Sequence, residues 1–102
     1  MDVQMVAQEF FIGPSLRDYL ERRLQLMFAR ARKHVARVVI CLRDLNKPQG
    51  GPDKLCQVSV ILPGRPEVVI QEIQEDICYA IDSALKRAAY RAIRIATCKG
   101  KQ

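Results

Sequence analysis

No apolar run in the chain reaches the ~18 residues that a membrane-spanning helix needs. The N-terminus, from Met1 to Phe11, has no basic segment followed by an apolar one, so the pattern of a secretory signal is missing. Histidine occurs once, at His34, and Cys41, Cys56, Cys78 and Cys98 stand too far apart for a C-x-x-C or Cys/His zinc pattern. Neither a metal nor any other cofactor is therefore expected, and without a secretory signal the thiols are read as reduced packing residues of a cytosolic protein. A glycine-rich phosphate loop is also lacking. Gly50-Gly51 falls between Pro48 and Pro52 in a hairpin and not ahead of a helix. No serine or cysteine nucleophile sits in a recognisable motif, and Glu75-Asp76 is accounted for by helix capping. These absences together argue against an enzyme and against a small-molecule substrate. Acidic residues are scarce in one place above all. Between Glu21 and Asp44 there is none, while Arg22, Arg23, Arg30, Arg32, Lys33, Arg37 and Arg43 all fall there.

What remains is a chain of 102 residues, 49% apolar and 27% charged, which suits one globular domain with a single core. Its net charge of +6 favours polyanionic partners.

Hydrophobic periodicity gives the elements. Val3 to Ala7 reads as a first strand. A first helix follows from about Pro14 to Ala31, with Leu16, Tyr19, Leu20, Leu24, Met27, Phe28 and Ala31 on one face. It is capped either by Gly13 with Pro14 in the first turn or by Ser15. Val35 to Leu42, Leu55 to Leu62 and Glu67 to Ile73 read as three further strands. The turn-rich stretch Asp44 to Lys54 and the Pro63-Gly64-Arg65-Pro66 turn separate them. The last helix begins after Asp76 as N-cap and carries Ile77, Ile81, Ala84, Leu85, Ala88, Ala92 and Ile95 at a period near 3.6. The order is β-α-β-β-β-α, an α+β fold. A helical crossover makes the first two strands parallel, short loops make the rest an antiparallel meander, and the sheet is four-stranded and mixed. Each helix has one apolar stripe, so both are expected on one face of the sheet.

That arrangement leaves Arg17, Arg22, Arg23 and Arg30 of the first helix and Lys86, Arg87, Arg91 and Arg94 of the last as candidate contacts for RNA phosphates. Their outer sides are expected to form a common basic surface. Read from charge alone, the same residues equally form a solvated helix face, and Arg30, Arg32 and Lys33 also suit the negative pole of the first helix. Tyr90, flanked by Arg87, Arg91 and Arg94, either stacks on a base or packs at the helix edge. A second reading is a protein-interaction module, using a sheet edge or an apolar patch on the first helix to which Leu26 and Phe28 would contribute.

Several segments resemble one family, in matching order. Glu75-Asp76-Ile77-Cys78-Tyr79-Ala80-Ile81-Asp82 is similar to the D-M-Y-A-A-I-D motif, and Leu85-Lys86-Arg87 to the basic D-K-L segment, of the ribosome hibernation-promoting factor and ribosome-associated translation inhibitor family. Ile12 to Arg17 resembles its I-T-x-A-L-R helix start, and Val38 to Arg43 its V-x-V-x-L-K strand. The chain departs from the pattern where Leu26-Met27-Phe28 stands for K-L-E and where Cys78 takes the place of an aromatic. The resemblance covers nearly the whole chain and implies that residues 1–102 form a single short-form domain, without the C-terminal dimerisation domain of long members. It implies a cytoplasmic bacterial protein, monomeric when free, that binds the small ribosomal subunit and its rRNA in the messenger and transfer RNA channel and silences idle ribosomes. By position it carries over Arg17, Arg23, Arg87 and Arg94 as rRNA contacts.

Overall fold

Alternation of apolar side chains along the strands sets the sheet. The computed structural model describes residues 1–45 and 51–98. It contains β1 (Asp2–Gln8), α1 (Pro14–Met27), β2 (Arg37–Asp44), β3 (Lys54–Ile61), β4 (Val68–Gln74) and α2 (Ile77–Thr97). The strands lie in the order β1-β2-β3-β4, with β1 parallel to β2 and the other neighbours antiparallel. The register lines up side chains across the sheet. Val3, Val38, Val60 and Val68 form one row, and Met5, Ile40, Val58 and Ile70 the next. A slip of one residue would turn each row to the opposite face. From β2 to β4 these rows are buried in a core shared with Leu20, Leu24 and Phe28 before β2 and with Ile81 and Leu85 of α2. Both helices thus cover one face, as their single stripes require.

The two helices sit differently on that face. In α2, Ala80, Ala84, Ala88 and Ala92 recur one turn apart and are fully buried. Such small side chains let α2 lie directly on β3 and β4, while α1 packs beside α2. Asp76 caps α2 as expected, its Oδ1 accepting the Cys78 N–H at 2.9 Å. Gly13 is the N-cap of α1, with Pro14 at the first helical position; Ser15 lies inside the helix.

One boundary differs from the periodicity. The α-helix ends at Met27 and not at Ala31, and a 3₁₀ turn over Arg32–His34 leads towards β2. The Phe28 N–H still reaches the Leu24 carbonyl at 2.9 Å, but Ala31 bonds back to Phe28 at 3.1 Å and His34 to Ala31 at 2.9 Å, three residues each. Tightening keeps Phe28 and Ala31 on the core side, so the apolar stripe outlasts the helix that it marks. Phe28 is 0% exposed and adds nothing to an apolar patch, whereas Leu26 is 64% exposed. Val35 precedes β2 and is buried. Residues 46–50 of the expected turn-rich stretch, Gly50 among them, and the basic Lys99 and Lys101 lie outside the described residues.

Candidate nucleic-acid interface

The candidate cations belong to distinct settings, which only the packing of the helices reveals. Arg17 lies on the β1 side of α1, its Nη1 3.5 Å from Met5 Sδ, in a groove with Val3 and Glu21. Arg22 forms an exposed ion pair with Asp18 one turn back, at 3.1 Å. Arg23 points the other way, into the seam between the helices. There Asp82 of α2 accepts from Arg23 Nε at 3.0 Å through Oδ1 and from the Tyr19 hydroxyl at 2.8 Å through Oδ2. Burial, that hydrogen bond and the Asp82 charge push the Tyr19 phenol up to about 12. The Cys78 thiol, also near this seam, is raised by burial and by the charges of Asp76 and Asp82.

Arg87 turns to the sheet. It forms an ion pair with Glu72 of β4 and donates to the Gln71 carbonyl at 3.4 Å. Burial would raise the Glu72 carboxyl, yet hydrogen bonds from Arg87, Gln74 and Ser83, with the Arg87 charge, outweigh it and hold the group below the usual glutamate range. Arg23 and Arg87 therefore hold acids of their own chain, which the sequence did not disclose.

The remaining candidates converge. Arg30, just past the end of α1, and Lys86 and Tyr90 of α2 line one small groove together with Met27, Ala89 and Ile93. Tyr90 is 62% exposed, so most of its ring is open to solvent. The Arg94 guanidinium lies over its ring, 5.7 Å from the centroid. Arg94 in turn borders a hollow with Arg91, Ile95 and Cys98. Beyond Arg30 opens a larger cleft lined also by Arg32, Lys33 and His34. The run Arg30 to His34 carried this signal in its charge, but its place beside α2 came only with the fold. Among the described residues no group of His, Cys, Asp and Glu is placed to hold a metal ion, and no helix is long and apolar enough to cross a membrane.

No family model and no curated protein matches the chain. Solved structures do. The ribosomal subunit interface protein from Coxiella burnetii aligns with a TM-score of 0.77 at 21% identity, covering 93% of this chain and 97% of that one. The N-terminal domain of Protein Y from Thermus thermophilus aligns with a TM-score of 0.75 at 24% identity, covering 93% and 99%. Over nearly its whole length the chain has the fold of these two proteins.

Proposed function

We propose that the chain is a ribosome-associated protein of the hibernation-promoting and translation-inhibitor family, acting by binding and not by catalysis. It binds the rRNA of the small ribosomal subunit through the basic side of its helical layer and so blocks the channel for messenger and transfer RNA. The observation that carries this reading is the gathering of Arg30 and Lys86 in the groove of exposed Tyr90, with Arg94 over the ring and Arg91 beside Arg94 in the next hollow. It stands on the fold of a protein named for the ribosomal subunit interface. Guanidinium forks match phosphate oxygens, and folded RNA is recognised largely by shape and backbone. Such binding needs no cofactor and places the protein in the cytoplasm, monomeric until it meets the subunit.

The test is cosedimentation with purified small subunits at low and high salt, alongside a cell-free translation assay. Binding that weakens steeply with salt, by about 0.7–0.9 in log affinity per log salt for each phosphate neutralised, is expected. Normal translation at saturating protein, with none of it in the subunit fraction, would sink the ribosomal reading. Exposed Leu26 favours the second reading, an apolar contact with another protein. Association that hardly responds to salt would select it.

A further inference from the structure

The groove between the end of α1 and the outer side of α2 has a composition that phosphate binding alone does not call for. Its floor is apolar, from Met27, Ala89 and Ile93; its wall is the Tyr90 ring; Arg30 and Lys86 stand at its rim. Its volume, about 160 Å³, is of the order of a single nucleobase. Arg94 over the ring steadies the tyrosine and adds a cation beside it. Arg30 and Ile93 also line the neighbouring cleft of about 910 Å³, where Arg32, Lys33 and His34 gather and no acidic residue is among the lining. A base-sized apolar slot therefore opens directly into a basic trough.

A duplex has little to offer such a slot, because its bases are stacked on one another and only its phosphates and ribose hydroxyls face outward. An unpaired nucleotide offers both a free π-face and a flanking phosphate. We propose that the groove takes one unpaired base of single-stranded RNA, stacked on Tyr90, while the phosphates that follow it run past Arg30 into the cleft of Arg32 and Lys33. This narrows the RNA-binding reading above and rests on it. Aromatic platforms beside cationic tracks are how sequence-tolerant single-strand binders work. The site assigns roles to Arg32 and Lys33, and it sets Arg17, on the far side of α1, outside the strand's path.

The experiment compares the full chain with its Tyr90→Ala, Tyr90→Phe and Arg30→Ala/Lys33→Ala variants. The probes are a labelled oligoadenylate of about eight nucleotides, an RNA duplex of similar charge, and AMP. The expected result is preference for the single strand over the duplex. Tyr90→Ala should lose about five- to a hundredfold in single-strand affinity, with Tyr90→Phe near wild type and duplex binding unmoved by either. Arg30→Ala/Lys33→Ala should flatten the single-strand salt slope by about 1.4. In the wild-type chain, a strand carrying 4-thiouridine should cross-link to Tyr90 or its α1 neighbours, a readout independent of any variant's folding. Equal affinity for strand and duplex, a Tyr90→Ala variant that binds as wild type, or cross-links confined to the Arg17 groove would overturn the proposal. AMP competing as well as the oligonucleotide would overturn it by giving the groove to a free nucleotide. A chain that sediments with small subunits yet fails these tests retains the ribosomal reading and loses this one. One that passes them but ignores subunits does the reverse.

Discussion

Replacing Asp82 by asparagine should weaken the fold and strengthen the grip on RNA in the same molecule. Asp82 is the acid to which α1 is tied, accepting from Tyr19 at 2.8 Å and from Arg23 at 3.0 Å. Asparagine keeps the shape and one acceptor oxygen, but turns an amide donor towards one of the two donors. A sheltered hydrogen bond to a charged group contributes about 1.5–3 kcal/mol, whereas an exposed ion pair contributes about 0–1. With Arg23 31% and Asp82 34% exposed, the pair lies between these limits. One bond and the charge attraction are lost, so Asp82→Asn should cost about 1–2 kcal/mol. In a domain of this size about 1 kcal/mol shifts the melting temperature by 4–8 °C, so Tm should drop by about 4–16 °C. The substitution also removes a negative charge from the helical layer and leaves Arg23 without its acid. Affinity for small subunits should then rise at low salt, and the gain should fade as salt is added. Thermal melts followed by circular dichroism and sedimentation at two salt concentrations check both halves. An unchanged melting temperature would refute the clamp; a folded variant that binds more weakly would refute the electrostatic argument.

Leu85→Ala should destabilise the fold by about 2–5 kcal/mol in denaturant titrations, since Leu85 is 0% exposed amid the core. The folded Tyr19 phenol titrates at about 12 against an ordinary 10, so its contribution is fully present below pH 10 and is lost as pH rises through 12. Stability measured across that window should fall in the wild type and fall less in Tyr19→Phe. A maleimide reagent should modify exposed Cys98 within the native state but reach buried Cys56, whose thiol burial pushes up to about 12, only on unfolding; peptide mapping reads this directly. Arg91→Glu with Arg94→Glu should weaken subunit binding and flatten its salt slope at little cost to stability, whereas Arg87→Glu should lower the melting temperature by facing Glu72 with a like charge.

The element order was legible because each element carries its own period. Val38, Ile40 and Leu42 alternate along β2, Ile77 to Ile95 keep the helical spacing in α2, and Asp76 marks the start of α2 by local chemistry alone. The end of α1 was not legible, because Phe28 and Ala31 stay on the apolar side whether the backbone bonds four residues back or three. The site was legible in composition only. Arg23 meets Asp82 across 59 residues of sequence and Arg87 meets Glu72 across 15, so no local pattern separates them from Arg91 or Arg94. What places Arg30 beside Lys86 and Tyr90 is the packing of one helix on the other, which exists only once the core has formed. The family resemblance named Arg17, Arg23, Arg87 and Arg94, yet of these only Arg94 stands beside the Tyr90 groove.

The position of Arg87 also bears on how the protein behaves when concentrated. β4 is the last strand of the sheet, and it carries Val69 and Ile73, which are 51% and 42% exposed. A bare strand edge with apolar side chains is a template on which another chain can add a strand and begin to aggregate. By donating to the Gln71 carbonyl and pairing with Glu72, Arg87 holds a charged side chain against this last strand. Charged side chains held against an edge strand disfavour edge-to-edge pairing, so Arg87→Ala is expected to raise the tendency to self-associate at high concentration, which light scattering would read.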